Sequence, residues 1–313
     1  MTTATCGKTL PDPLDDLGLV PVHARTTMLL VVVLPFLGLV GGIVLLWGHH
    51  FSWVQLGIFL GMYFLSAFGI TVGYHRLFTH RSFETTWPVK MALGFLGSMA
   101  VEGPILKWVA THRMHHTRSD THDDPHSPNL KGNGALAVLR GFWHAHVGWM
   151  LGADHPGLPR YVRDLVEDRM LRALSRLFPL WVVISLLVPA VLGGVLSWSW
   201  SGALAGFLWG GLARIFFVHH LTFSINSVCH LWGRRPFRTD DLSRNNLVFG
   251  VLGLGEGWHN NHHAFPASAR HGLKWWQFDL SYLVIRGLEV LRLAWRVRLP
   301  RPESILKRRQ AAV

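Results

Sequence analysis

The sequence predicts an all-α membrane protein: four transmembrane helices in two hairpins, beneath a cytosolic, histidine-rich helical cap that holds a di-metal centre. Three observations carry this. Half of the 313 residues are apolar and only 15% are charged, a balance too apolar for an ordinary soluble domain. Long uncharged runs recur along the chain. The 20 histidines gather in clusters at the borders of those runs. The 15 tryptophans suit membrane interfaces. Two cysteines, Cys6 and Cys229, are too few for a disulfide scaffold. The net charge of +12 marks a face toward anionic lipid or anionic substrate. No Lys/Arg-rich run with interleaved aromatics supports a nucleic-acid partner.

Residues 1–25, punctuated by Pro11, Pro13 and Pro21, read as a mobile tail without the basic start or cleavage site of a secretory signal. Thr26 to Trp47 carries no charge; at 1.5 Å per residue such a run spans roughly 33 Å, enough for a bilayer core. Phe51 to Tyr74 is a second uncharged run, and the short Gly48-His49-His50 link makes a tight hairpin. Met91 to Leu106 is interrupted by Glu102, Gly103 and Pro104 and is short for a span, so a buried or interfacial helix is expected. The polar region after it contains a loop around Asp120 to Pro128. Leu177 to Ala213 is uncharged and is broken by Ser197-Trp198-Ser199-Trp200-Ser201, giving spans at about 177–196 and 201–229. Arg214 falls inside the last of these, a costly placement that demands a partner or a function. From residue 230 the chain is soluble in character. Residues 26–290 form the membrane domain, and 291–313 form a basic tail whose stretch from Leu291 to Arg309 is expected to lie on the membrane.

Orientation follows from the charges. Of 30 Lys and Arg, 13 lie in 75–176 and 14 in 230–313, and neither hairpin turn has any. The positive-inside rule puts both regions, and with them every histidine cluster, in the cytoplasm.

Two H-x-x-H-H boxes, His112/His115/His116 and His259/His262/His263, stand beside a looser pair, His75 and His80. On a helix, steps of three and four leave side chains on one face, so each box is expected to converge on one spot. Eight imidazoles exceed the roughly four to six ligands of one transition metal, which implies two metals. A zinc hydrolase would bring H-E-x-x-H, and a soluble di-iron bundle would bring two Glu-x-x-His motifs; the first is absent, and Glu256-Gly257-Trp258-His259 is a single copy of the second.

Four segments carry a resemblance: Gly73-Tyr74-His75-Arg76-Leu77-Phe78-Thr79-His80; Trp108-Val109 running into the second box; Asn226-Ser227-Val228-Cys229-His230; and Gly255-Glu256-Gly257-Trp258-His259-Asn260-Asn261-His262-His263-Ala264-Phe265-Pro266. In order and spacing, over about residues 55–285, they resemble the integral-membrane acyl-CoA desaturases of the stearoyl-CoA delta-9 type. The resemblance implies two iron ions held by His75, His80, His112, His115, His116, His230, His259, His262 and His263, with Asn226 reaching a metal through water. It implies dioxygen as co-substrate and a cis double bond as product, with no catalytic side chain separate from the metal centre. It places Trp108 and Thr222 at the bend of an acyl tunnel. Glu256 and Asp124 are candidates to orient ligand histidines. The family's charged pair before the second box is replaced by Ala110-Thr111, so a phospholipid- or carrier-bound acyl group stands beside acyl-CoA as substrate.

No G-x-G-x-x-G follows a strand-like run, so electrons come from a separate ferredoxin or flavin reductase docking on the basic face. His155-Pro156-Gly157-Leu158 reads as a loop. The 24 Arg against 6 Lys suggest a GC-rich bacterial genome and a plasma-membrane location. A hydroxylase or alkane monooxygenase on the same kind of site is the alternative activity; a metal transporter or sensor is the alternative class.

Overall fold

The computed structural model describes residues 24–46, 52–130, 132, 134–152 and 158–309. The expected mobile tail, apart from its last two residues, lies outside them, as do His49, His50 and His155. Helix α1 is Ala24–Leu46. Within it Val31–Val44 is an apolar helical stretch. Among the described residues, three helices are long and apolar enough to cross a membrane: α2 (Trp53–Thr79), α7 (Phe178–Ser197) and α8 (Trp200–Leu231). Between them stand α3 (Trp87–Ser98), α4 (Ile105–Arg118), α5 (Ala135–His146) and α6 (Arg169–Arg176). Beyond α8 come α9 (Leu247–Leu252), α10 (His259–Ala264), α11 (Leu280–Val290) and α12 (Pro302–Arg308).

Helix α2 does not stop at Tyr74. It is α-helical to Phe68 and widens into π-helical turns from Gly69 to Thr79, ending with the His80 N–H donating to the His75 carbonyl at 3.1 Å. The polar residues His75 and Arg76 do not end it because both are buried against bonding partners. A widened helical stretch of this kind commonly marks a functional site. Gly69 permits the crossing with α3: a Cβ there would sit 2.1 Å from the Gly97 nitrogen.

The expected helix at 91–106 is two helices. Between α3 and α4 the chain turns through Val101 (φ 63°) and Gly103 (φ 113°). Arg214 on α8 grips this turn. Its guanidinium donates to Met99 O (2.7 Å), Ser66 Oγ, Ser185 O, Ser185 Oγ and Gly210 O. All five donors are satisfied, which is how a fully buried arginine is tolerated in a span. Helices α7 and α8 are joined at Trp198-Ser199, and the flanking Trp198 and Trp200 rings are exposed, as an interfacial turn requires.

The C-terminal stretch is not one amphipathic helix lying free on a membrane. Strand β2 (Ala294–Trp295) pairs antiparallel with β1 (Glu84–Thr85). Arg298 N–H donates to Ser82 O at 2.8 Å, and the Arg308 guanidinium donates to Ala264 O at the end of α10. Backbone hydrogen bonds favour pairing with the cap over exposure, so residues 291–309 are woven into it.

Candidate metal centre

Four elements bring the histidines together. The end of α2 supplies His75 and His80, α4 supplies His112, His115 and His116, α8 supplies His230, and α10 supplies His259, His262 and His263. They fall into two groups, each with its candidate ligand atoms within 4.8 Å of one another: His75, His80, His112, His116 and His262, and His115, His230, His259 and His263. The nine residues of the sequence expectation are therefore brought together, but each H-x-x-H-H box is divided. In α4 the i,i+4 pair His112/His116 joins the first group and His115 the second; in α10 the pair His259/His263 joins the second and His262 the first. The i+3 position is rotated far enough around the helix to serve a neighbouring site. Asn226 lies part-buried one turn before His230 on α8.

The ring nitrogens test whether metal fits. Carboxylates take Nδ1 of four rings: His75 to Glu256 at 2.6 Å, His115 to Asp124 at 3.0 Å, His230 to Asp120 at 2.8 Å and His263 to Asp241 at 2.7 Å. Each bond puts the proton on Nδ1 and leaves the Nε2 lone pair free. Those Nε2 atoms turn toward other imidazole nitrogens: His75 to His262 at 3.1 Å, and His230 to His259 at 3.0 Å. His262 and His116 approach at 2.9 Å, and His116 and His112 at 3.0 Å. Nε2 of His80, His115 and His263 is buried with no hydrogen-bond partner. Burial, and then the neighbouring imidazoles, hold His80, His112, His116, His259 and His262 well below the usual imidazole range, so protonation does not supply the missing partners. Crowded imidazole nitrogens turned toward one another are the donor set that transition-metal cations take. The residues fit two such ions.

The carboxylates are charged. Burial alone would raise Asp120, Asp124 and Asp241, but the imidazoles bonded to them outweigh it and hold them well below the usual range. Glu256 is lowered against its burial by Arg76 and His75. Asp124 and Glu256 stand where the sequence reading expected orienting groups. Asp120 and Asp241 were missed: Asp120 is four residues after His116, but α4 ends at Arg118 and Asp120 holds a positive φ of 58° beyond it, while Asp241 sits in a loop far from either box. Asp120 carries the signal of acidity just after a histidine run, and Asp241 carries none.

The two expected substrate residues are joined by a third group. Trp108 Nε1 donates to Glu102 at 3.0 Å, and Thr222 Oγ1 to its other oxygen at 2.7 Å. Trp108 also stacks on His112, with ring centroids 5.1 Å apart. Burial pushes the Glu102 carboxyl up to about 7. Ala110 and Thr111 are buried on the inner face of α4.

Long apolar helices that converge on paired histidine groups define a helical protein with a candidate metal centre. The fatty acid desaturase model matches residues 51–289; the chain belongs to this family and is an oxidoreductase acting on fatty acyl chains. It is 46% identical to the hex-5-enoyl-[acyl-carrier protein] acetylenase of Moorena producens over 88% of this chain and 87% of that one. It is 40% identical to the sn-1 stearoyl-lipid 9-desaturase of Anabaena variabilis, over 84% of this chain and 92% of the relative. It is also 40% identical to the icosanoyl-CoA 5-desaturase of Limnanthes douglasii, over 80% and 67%.

Proposed function

We propose that the protein is an oxygen-dependent acyl desaturase that places a cis double bond at position 9 of a fatty acyl chain, using two irons held by the nine histidines. The observation that carries this reading is the pairing of two inward-facing histidine groups with four charged carboxylates behind them. Two irons, when bound, supply the oxidation that removes two hydrogens from adjacent methylenes while dioxygen goes to two waters. The chain's own residues do the rest. Glu256, Asp124, Asp120 and Asp241 fix their imidazoles in the tautomer that turns Nε2 inward. Six of the nine histidines are buried and His80, His112 and His116 are half-buried, which limits the access of bulk water. Asn226 reaches a metal through a water. Trp108 and Thr222, held by Glu102, line the acyl path.

Helix α1 is the fourth span, the histidine-bearing cap faces the cytoplasm of a bacterial plasma membrane, and a separate ferredoxin or flavin reductase delivers electrons to the basic face. The relatives named above act on carrier-protein, lipid and CoA forms. The buried, uncharged Ala110 and Thr111 offer no charge to a CoA head, and with the lipid desaturase of Anabaena variabilis they favour a lipid-linked chain. The test is the position-resolved fatty-acid profile of cells co-expressing this chain and a ferredoxin–reductase pair, against a His112→Ala, His259→Ala variant. New 9-monounsaturated chains in the lipids of the unmutated strain alone are expected. Hydroxylated chains instead would replace desaturation with oxygen insertion, and activity only on acyl-CoA would overturn the lipid assignment.

A further inference from the structure

A tenth histidine, outside the nine, lies against the centre. His271 is 1% exposed. Its ring stands 4.4 Å from that of His262 and 5.4 Å from that of His75, centroid to centroid. The backbone holds it on both sides: its N–H donates to Asp279 Oδ2 at 2.6 Å, and its carbonyl accepts from Asn261 Nδ2 at 2.8 Å.

Its tautomer follows from Arg76. A guanidinium has five N–H donors and accepts nothing. In Arg76, Nε donates to Ala269 O at 2.9 Å. Nη1 donates to Thr71 O at 3.0 Å and to Glu256 Oε1. Nη2 donates to Asp279 Oδ1 at 3.1 Å and to His271 Nδ1 at 3.0 Å. The fifth buried donor has its acceptor only if His271 Nδ1 keeps its lone pair. The ring proton is then on Nε2, turned away from Arg76. That Nε2 is buried and has no hydrogen-bond partner among the described residues.

A buried N–H without an acceptor is a costly arrangement that native structures rarely keep unused. A nitrogen that carries a proton is also not a metal ligand. Resting on the di-metal reading above, we propose that His271 is a hydrogen-bond donor to a small oxygen or anionic ligand entering beside His75 and His262, and that it is not itself a ligand of either metal. Arg76 has a matching role: by donating to Nδ1 it keeps the His271 proton on Nε2.

The test uses the full chain, iron-loaded in lipid nanodiscs, with azide as the probe. His271→Asn keeps an oxygen for Arg76 but is too short to present a donor at the Nε2 position. His271→Gln keeps an acceptor and restores a donor farther out. Iron content and the azide affinity read from the ferric charge-transfer band are measured for each. Two irons per chain in all three proteins are expected, with azide binding weakened about tenfold or more in His271→Asn and restored toward the unmutated value in His271→Gln, the size expected for a hydrogen bond to a charged ligand. Loss of iron from either variant would make His271 a ligand and overturn the proposal. Equal azide affinity in all three, or no azide binding to the unmutated protein, would also overturn it. A chain that binds no iron without any substitution would instead overturn the di-metal reading itself.

Discussion

At the scale of single residues, the charged groups behind the histidines are as informative as the histidines. Asp120 and Asp241 each spend one oxygen on an imidazole and the other on loop donors: Ser127 and Asn129 for Asp120, Thr239 and Ser243 for Asp241. Asp120→Ala or Asp241→Ala is expected to weaken iron retention about 10- to 100-fold. Asp123→Ala, at an exposed carboxylate 3.9 Å from Arg118, is expected to leave it unchanged; competition with a chelator measures both. Glu102 makes a pH prediction. Its carboxyl lies near 4.5 when unfolded and about 7 when folded, so the folded chain binds the proton more tightly. Its contribution to stability is greatest below about 4.5, falls as pH rises to about 7, and then levels. Relative to Glu102→Gln, the thermal midpoint of the unmutated protein is expected to fall across that window; a constant difference would show that Glu102 does not titrate there. The histidines were legible in the sequence because ligands at i, i+3 and i+4 leave a local pattern. His230, His271 and Glu102 leave none, since each meets its partners across large separations in the chain. Only the resemblance supplied His230, and nothing supplied the other two.

At the scale of elements, sequence periodicity placed the spans well and their ends poorly. Uncharged runs located α2, α7 and α8 because lipid tolerates few charges. The same logic ended α2 at Tyr74 and so missed its continuation: His75 and Arg76 are polar by composition yet buried by partners that lie around residues 256–279. The break between α3 and α4 had a signal in Glu102-Gly103-Pro104, which the structure resolves as a turn held from α8. Arg214 is the hinge pin of this arrangement, tying α2, α7, α8 and the turn. Arg214→Met is expected to remove five buried hydrogen bonds, leaving Met99 O with Ser185 Oγ as its donor, at a cost of about 1–3 kcal/mol for each buried oxygen left unsatisfied, read as a lower thermal midpoint in detergent. An unchanged midpoint would mean that the turn is held by other contacts, such as His219 to Ala100 O and Val101 O.

At the scale of the whole molecule, the class was legible and the weave was not. Composition, uncharged runs and histidine boxes were enough for a mostly helical protein with apolar helices long enough to span a membrane and histidine groups that could hold metal. That the C-terminal stretch returns to pair with residues 84–85 and to brace α10 is a long-range matter without local periodicity. The division of each histidine box has a consequence for how the protein fills with metal. Helices α4 and α10 each reach both positions, so the two positions are yoked by rigid rods. On the two-iron proposal, settling an ion in one would turn the rods into register for the other, so half-filled molecules are expected to be disfavoured. Native mass spectra taken at one iron per chain should show mainly empty and doubly loaded protein. A predominant singly loaded species would mean that the two positions fill independently.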